Sequence, residues 1–368
     1  MRSVPSITSA ETQEVLSVPI VVIALHEGCN CRCVMCDIWK IQSPRELAFE
    51  HLSRQLDSFE RLGVRWVALT GGEPQRHEHF VDFTTALRTR GIRISLLTAG
   101  VLLESDALLV AEAVDDVIVS LDGPPEIHDR IRRVPEAFNK LGRGTRALKQ
   151  MKPGIVVAGR CTVQRANYSA LCRTAECAKE LGLASLSFLA ADVSSTAFNR
   201  PLSWSASRQN AVALDASQVD GLEHEIERLI REHGNDGFVL ESPDKLRRIV
   251  LHFRAHLGQA PALAPRCNAP WVSAVIEAGG EVRPCFFHPA IGSIHEMTFA
   301  EVINSPQALR FRSNLDIATN PVCRRCVCSL FLPSRQPAAN VSDRLASAPA
   351  NELKTMVASD LHFRGKAL

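Results

Sequence analysis

From about residue 19 to 190 the chain alternates short apolar runs with longer amphipathic ones. The apolar runs fall at 19–25, 65–70, 92–98, 117–121, 155–163 and 185–189, each the length of a buried strand. Stretches with helical spacing lie between them, near 46–62, 78–90, 104–114, 136–151 and 168–182. Gly63, Gly91 and Gly182 stand just after three of these, where a helix end favours glycine. Strand and helix in strict alternation predict parallel strands joined by right-handed crossovers. Six such units make a partial barrel rather than a closed eight-fold one, with the functional groups gathered at the C-terminal ends of the strands.

After residue 190 the rhythm breaks. Residues 191–215 read as a polar connecting loop, 216–233 as a charged amphipathic helix and 244–257 as a second helix, ahead of an Ala/Pro-rich stretch at 258–266. A small module follows, with β-like runs at 272–277 and 281–286 and a helix at 298–312. The predicted organisation is an N-terminal extension (1–18), a core barrel (19–190), connecting loop and helices (191–266), a small C-terminal α+β module (267–332) and a Pro/Ala/Ser-rich tail (333–368). The tail is expected to be mobile, with a final short helix. There is no internal repeat.

Composition narrows the function mainly through cysteine. With 368 residues, 46% of them hydrophobic, the chain is long enough for about two domains and a full core. A net charge of +2 offers no electrostatic reason for a nucleic-acid partner. No apolar run reaches the roughly 18 residues of a membrane span. The first eighteen residues lack the basic start of a signal peptide, so a cytoplasmic location is expected. Twelve cysteines in such a chain point to metal binding or catalysis rather than disulfides.

The first predicted strand runs directly into Cys29, Cys31, Cys33 and Cys36. Thiolates are the usual ligands of iron–sulfur clusters. Cys29, Cys33 and Cys36, spaced CxxxCxxC on one loop, can hold three irons of a four-iron cluster and leave the fourth open to a chelating ligand. Cys31 breaks the spacing and is read as a bystander. A structural zinc site is the alternative, although zinc more often takes paired knuckles from two separated segments.

This spacing resembles that of radical S-adenosylmethionine (SAM) enzymes, and four further segments follow in the family's order. Strand two ends in Gly71-Gly72-Glu73-Pro74, strand three in Thr98-Ala99-Gly100, with Ala where the family usually has Asn, and strand four in Ser120-Leu121-Asp122-Gly123, followed by His128-Asp129. Strand five carries Arg160 and Thr162, with Asn167 beyond. The resemblance implies that the open iron chelates SAM and that reductive cleavage yields a 5′-deoxyadenosyl radical. It implies SAM contacts from Gly71, Gly72, Glu73, Thr98, Ser120, Asp122 and Arg160. Glu73 would meet the methionyl amine, and the backbone of Met35 would meet the adenine in place of the usual aromatic residue. An external electron donor such as flavodoxin or ferredoxin is implied as well.

Cys267 and Cys285, then Cys323, Cys326 and Cys328, form a second set. A zinc ribbon would suit this spacing equally well. Lying after a radical-SAM-like core, the set resembles the twitch form of the SPASM domain, which implies one auxiliary 4Fe–4S cluster held by Cys267, Cys285, Cys323 and either Cys326 or Cys328. The family expectation is then an α/β radical SAM enzyme: a partial (β/α)6 barrel with a small C-terminal cysteine-ligated twitch-like domain. A small-molecule substrate is expected in preference to a peptide, and an oxidation or dehydrogenation in biosynthesis. A peptide maturase or cyclase of the same superfamily is the alternative, and a non-catalytic zinc-binding scaffold the rival from another class. His26, His77 and His79 are read as structural or solvated. Trp39, Lys40, Arg76 and Arg200 are substrate-contact candidates by position, and Cys161, Cys172 and Cys177 as small apolar fillers.

Overall fold

A computed structural model describes residues 13–198, 200, 202–234 and 236–333. Most of the N-terminal extension and the tail expected to be mobile lie outside these residues.

Six parallel strands stand side by side in chain order: β1 (Ile20–His26), β2 (Trp66–Gly71), β3 (Arg93–Thr98), β4 (Asp116–Ser120), β5 (Val156–Val163) and β6 (Leu186–Ala190). Each is joined to the next through helical chain, as parallel pairing requires. Both faces of the sheet are covered. On β1, Val21, Ile23 and Leu25 join the main core beneath the helices, while Ile20 and Val22 pack on the other face with Trp66, Ala68 and Val275. That two-sided burial is why the strands read as continuous apolar runs. Gly63, Gly91 and Gly182 adopt φ of +63°, +67° and +71°, the left-handed conformation expected after the helices they terminate.

Two expected helices are broken. The 46–62 stretch forms two short helices, Phe49–Ser53 and Leu56–Arg61. The 298–312 helix divides into Phe299–Ile303 and Pro306–Ser313, because Pro306 has no N–H to continue the first and Ser305 caps the second. Helices also form where the pattern predicts none, among them Ala206–Asn210 in the connecting loop and Pro125–Arg132, which starts with proline at its first position.

The C-terminal module has no separate sheet. Its strand β7 (Ser273–Ile276) pairs in parallel with β1, from Ile20↔Ser273 to Ile23↔Ile276, and β8 (Glu281–Arg283) and β9 (Gly292–Ser293) follow antiparallel. An open partial barrel leaves β1 with an exposed edge, and β7 covers it. On the other flank, β6 is covered in part by a bridge from Leu186 to Val239 and by the Glu241 carboxylate, which accepts from the Phe188 N–H at 2.9 Å. Among the described residues no helix is long and apolar enough to cross a membrane.

Candidate functional site

The loop after β1 carries Cys29, Cys31, Cys33 and Cys36 and is pinned from three sides. On one side it meets the end of β2: Gly72 N–H donates to His26 O (2.6 Å) and Glu73 N–H to Gly28 O (2.9 Å). A Cβ on Gly72 would lie 2.3 Å from Gly28 O, and Gly71 has φ +133°, so this close approach demands glycine at both positions. On the second side, Arg32 and Val34 donate their N–H groups to the carbonyls of Arg132 and Ile131.

The third side is the connecting loop. Arg200 donates to Met35 O (3.3 Å) and to the Asp192 carboxylate (2.8 Å), and Arg208 donates to Val34 O. Trp204 donates to Asp37 Oδ2 at 2.6 Å and lies under the Arg200 guanidinium, 3.8 Å from its ring centroid. Two of the substrate-contact candidates, Arg200 and Trp39, are tied into this scaffold by hydrogen bonds to backbone carbonyls, and Lys40 is exposed. Arg200 is buried, Lys40 pairs with Asp37 (2.7 Å), and Trp39 donates to Cys36 O (2.9 Å). Arg76 is exposed. His26 and His77 are buried beside Glu46 and the Leu47 carbonyl, whereas His79 faces solvent and pairs with Asp82.

The thiols differ in acidity. A hydrogen bond from Cys31 and the nearby Arg132 guanidinium together bring Cys33 down to about 6, against the effect of burial. Cys29 is lowered as well, chiefly by Cys31. Cys31 itself is raised, because its hydrogen bonds to Cys29 and Cys33 hold its proton. Burial pushes Cys36 up to about 12. Arg132 is fully buried, 2.7 Å from Asp122 Oδ2 and 3.6 Å from Cys33 Sγ. The Asp122 carboxylate also accepts from Thr162 N–H (3.0 Å), so its two oxygens hold the scaffold around Cys33.

Glu73 is completely buried at the end of β2. Its Oε2 accepts from Thr98 Oγ1 (2.9 Å) and Ala99 N–H (3.0 Å), while Oε1 has no partner. Burial pushes its carboxyl up to about 7. An orphaned carboxylate oxygen beside a glycine cradle and a thiolate loop fits a cationic amine. Ser120 and Arg160 are register partners on β4 and β5, both half-buried, and Arg160 Nε reaches Ser187 Oγ at 3.5 Å.

Cys267, Cys285, Cys323, Cys326 and Cys328 all line one cavity of about 30 Å³, together with His288. Asn320 caps the short helix Pro321–Arg324, accepting from the N–H groups of Val322 and Cys323. His288 Nε2 lies 3.4 Å from Cys323 Sγ, and the Cys326 thiol contacts the Cys328 carbonyl. Burial raises Cys285 to about 11 and Cys323 to about 12, so a bound metal centre would have to draw off their protons. Among the described residues no three His, Cys, Asp or Glu side chains converge tightly enough to hold a single ion. A cluster of several irons takes its thiolates at wider separations. Cys161 and Cys172 are buried and Cys177 half-buried.

Arg132, Asp192, Trp204 and His288 are the site residues that spacing did not reveal. Each acts through a contact remote in sequence, and only Arg132 carries a hint, one helical turn after His128.

The radical SAM superfamily profile matches residues 23–178, and a SPASM profile, an iron–sulfur cluster-binding domain, matches 267–327. The chain belongs to the radical SAM superfamily. It is 26% identical over 304 residues to an AdoMet-dependent heme synthase of Methanosarcina barkeri, covering 78% of this chain and 82% of that protein. It is 32% identical over 170 residues to a PqqA peptide cyclase of Ruegeria pomeroyi, covering 45% of each. Its fold is similar to that of Streptococcus suis SuiB bound to precursor peptide SuiA, with a TM-score of 0.61 and 12% identity, over 97% of this chain and 77% of that one. The protein is an enzyme whose cofactors are SAM, the 4Fe–4S cluster that binds it, and auxiliary iron–sulfur in the SPASM-type domain. The partial barrel expected from strand periodicity is the fold observed.

Proposed function

We propose that this enzyme modifies a peptide by SAM-derived radical chemistry, with Cys29, Cys33 and Cys36 as ligands of the SAM-binding cluster. This replaces the expectation of a small-molecule substrate. The observation that carries it is the 32% identity to a peptide cyclase over 170 residues, joined by the likeness of nearly the whole fold to an enzyme solved with its precursor peptide. When bound, the cluster supplies the electron that cleaves SAM.

The chain's own residues bind and orient SAM and the substrate. Gly71 and Gly72 allow backbone to approach the methionyl group, and Glu73 Oε1 accepts its amine. Thr98 and the Ala99 amide hold Glu73 in place, the Met35 backbone would meet the adenine, and Ser120 and Arg160 offer polar contacts on the inner face of the sheet. Asp122 acts one step back by fixing Arg132 against Cys33. Cys267, Cys285, Cys323 and Cys326 or Cys328 hold the auxiliary cluster.

A second reading, oxidation of a tetrapyrrole, is favoured by the heme synthase match across 78% of the chain. The two are separated by incubating the anaerobically reconstituted protein with SAM, dithionite and either short peptides encoded beside the gene or iron-coproporphyrin. A peptide that stimulates 5′-deoxyadenosine formation and changes mass supports the first. Stimulation by the porphyrin alone overturns it.

A further inference from the structure

A cavity of about 350 Å³ lies beside β6, walled by residues 188–194, the helix Pro243–His256, the 261–265 stretch and the auxiliary-cysteine loop 324–329. Its charged lining is all of one sign. Lys245, Arg248, Arg324 and Arg325 line it with His252 and His256, and no Asp or Glu does, in a chain with 42 basic and 40 acidic residues. The remaining wall is largely apolar, with Phe188, Leu189, Ile249, Leu263 and Val327.

The helix sorts its charges by face. Ser242 caps it, and Lys245, Arg248, His252 and His256 follow at helical spacing on the cavity side. On the other side, Arg247 pairs with Glu227 (2.7 Å), and Arg254 with Glu223 (2.5 Å) and Asp220 (3.1 Å). Those acids belong to the neighbouring helix Ala216–His233 and neutralise Arg247 and Arg254. On the cavity side Arg248 donates to Leu263 O (3.1 Å) and Arg324 to Ala262 O (2.7 Å). Among the described residues neither these two nor Arg325 has a carboxylate within ion-pair distance. The Asp192 carboxylate acts on His252 electrostatically, but it already pairs with Arg200. His252 Nε2 is closed off from solvent and has no partner.

The cavity borders the second cysteine set and is tied indirectly to the first. One wall, Val193–Ser194, directly follows Asp192, which Arg200 ties to the Met35 carbonyl in the first cysteine loop. Cys326 lines the cavity as well. A group of arginines in an apolar cleft of this size suits a carboxylate on an apolar body, since the guanidinium fork matches a carboxylate in two parallel hydrogen bonds.

We propose that this cavity anchors the substrate by a carboxylate borne on an apolar segment, holding it against the auxiliary cysteine loop. Resting on the peptide reading above, this identifies the substrate as a peptide with an acidic or C-terminal carboxylate flanked by apolar residues.

The test uses the anaerobically reconstituted full chain and equilibrium dialysis with pyrenebutyrate as the probe. The carboxylate should bind about tenfold or more tightly than pyrenebutanol, and its affinity should fall with added salt. A short apolar peptide ending in Glu should displace it, and the same peptide amidated and ending in Gln should not. Arg248→Gln, and separately Arg325→Gln on the exposed auxiliary loop, should each weaken binding about tenfold with iron content and basal 5′-deoxyadenosine formation unchanged. Equal binding of the alcohol, or unaltered binding by both variants, overturns the proposal. So does displacement by pyrophosphate at lower concentration than by the acidic peptide, which would make this a phosphate site. Binding of the acidic peptide without any peptide-stimulated SAM cleavage instead sinks the peptide function and leaves the anion site standing.

Discussion

Glu73→Gln should separate the stability of the protein from its affinity for SAM. The wild-type carboxyl is fully buried, with one oxygen hydrogen-bonded and the other orphaned, and burial lifts it from 4.5 to about 7. A raised carboxyl binds more protons folded than unfolded, so stability falls as pH rises from 4.5 through 7 and the full cost is present above 7. At 1.36 kcal/mol per unit, that cost is about 3 kcal/mol at pH 8. Glutamine keeps an acceptor for Thr98 and Ala99 and carries no charge, but its amide N–H₂ is left beside the orphan position. The cluster-free variant should therefore be more stable than wild type at pH 8 by about 2 kcal/mol, and about equal to it at pH 4.5. SAM binding should move the other way. A charge-assisted bond to the methionyl amine is worth roughly 1.5–3 kcal/mol, so the reconstituted variant should lose about ten- to a hundredfold in affinity. Urea denaturation at the two pH values measures the first effect and equilibrium dialysis of SAM the second. Equal stability at pH 8 refutes the buried-charge reasoning, and unchanged SAM affinity refutes the assignment of Oε1.

Anaerobic reconstitution should yield about eight irons and eight sulfides per chain, and replacing Cys29, Cys33 and Cys36 with Ala should halve both; a protein isolated with zinc and no sulfide contradicts this. Loss of Cys323, Cys326 and Cys328 together should spare 5′-deoxyadenosine formation with dithionite while abolishing modified product, and normal product from a folded triple variant would show that the auxiliary cluster does not take part in turnover. Arg132→Met leaves the Asp122 charge buried without its cation and should cost about 3–5 kcal/mol in urea denaturation; adding Asp122→Asn should recover most of it. In the same Arg132 variant the first cluster's midpoint potential should fall, because a cation and an N–H donor beside Cys33 stabilise the reduced state; an unchanged potential would make the arginine purely structural.

Much of the core was legible because its signals are local. Strand period, the glycines after helices and the CxxxCxxC loop all lie within a few residues of one another, and the six strands are displaced from their expected bounds by only a residue or two. The GGE segment could be read for the same reason, since Gly71 and Gly72 are required by the close passage of a single neighbouring loop. Where a helix pattern failed, a local competitor won: Ser305 and Pro306 stopped one helix and capped the next.

Tertiary structure decided what depends on contacts between distant segments. Nothing in residues 272–277 indicates that β7 completes the barrel sheet on the edge of β1, because backbone pairing across some 250 residues leaves no mark in side-chain periodicity. Arg200, Trp39 and Lys40 looked like substrate contacts by position, yet each is held by a specific polar partner that linear spacing cannot show. Asp122 stood where the family reaches SAM, and a buried arginine one helix away takes its carboxylate. The cationic cavity beside β6 is the extreme case. Its charges come from a connecting helix and the second cysteine loop, in a chain of nearly balanced composition, and they become a site only because folding brings them to the wall of one cavity. Sequence determined the elements and the metal-binding chemistry, which depend on neighbours along the chain; the field those elements present to a substrate depends on neighbours in space.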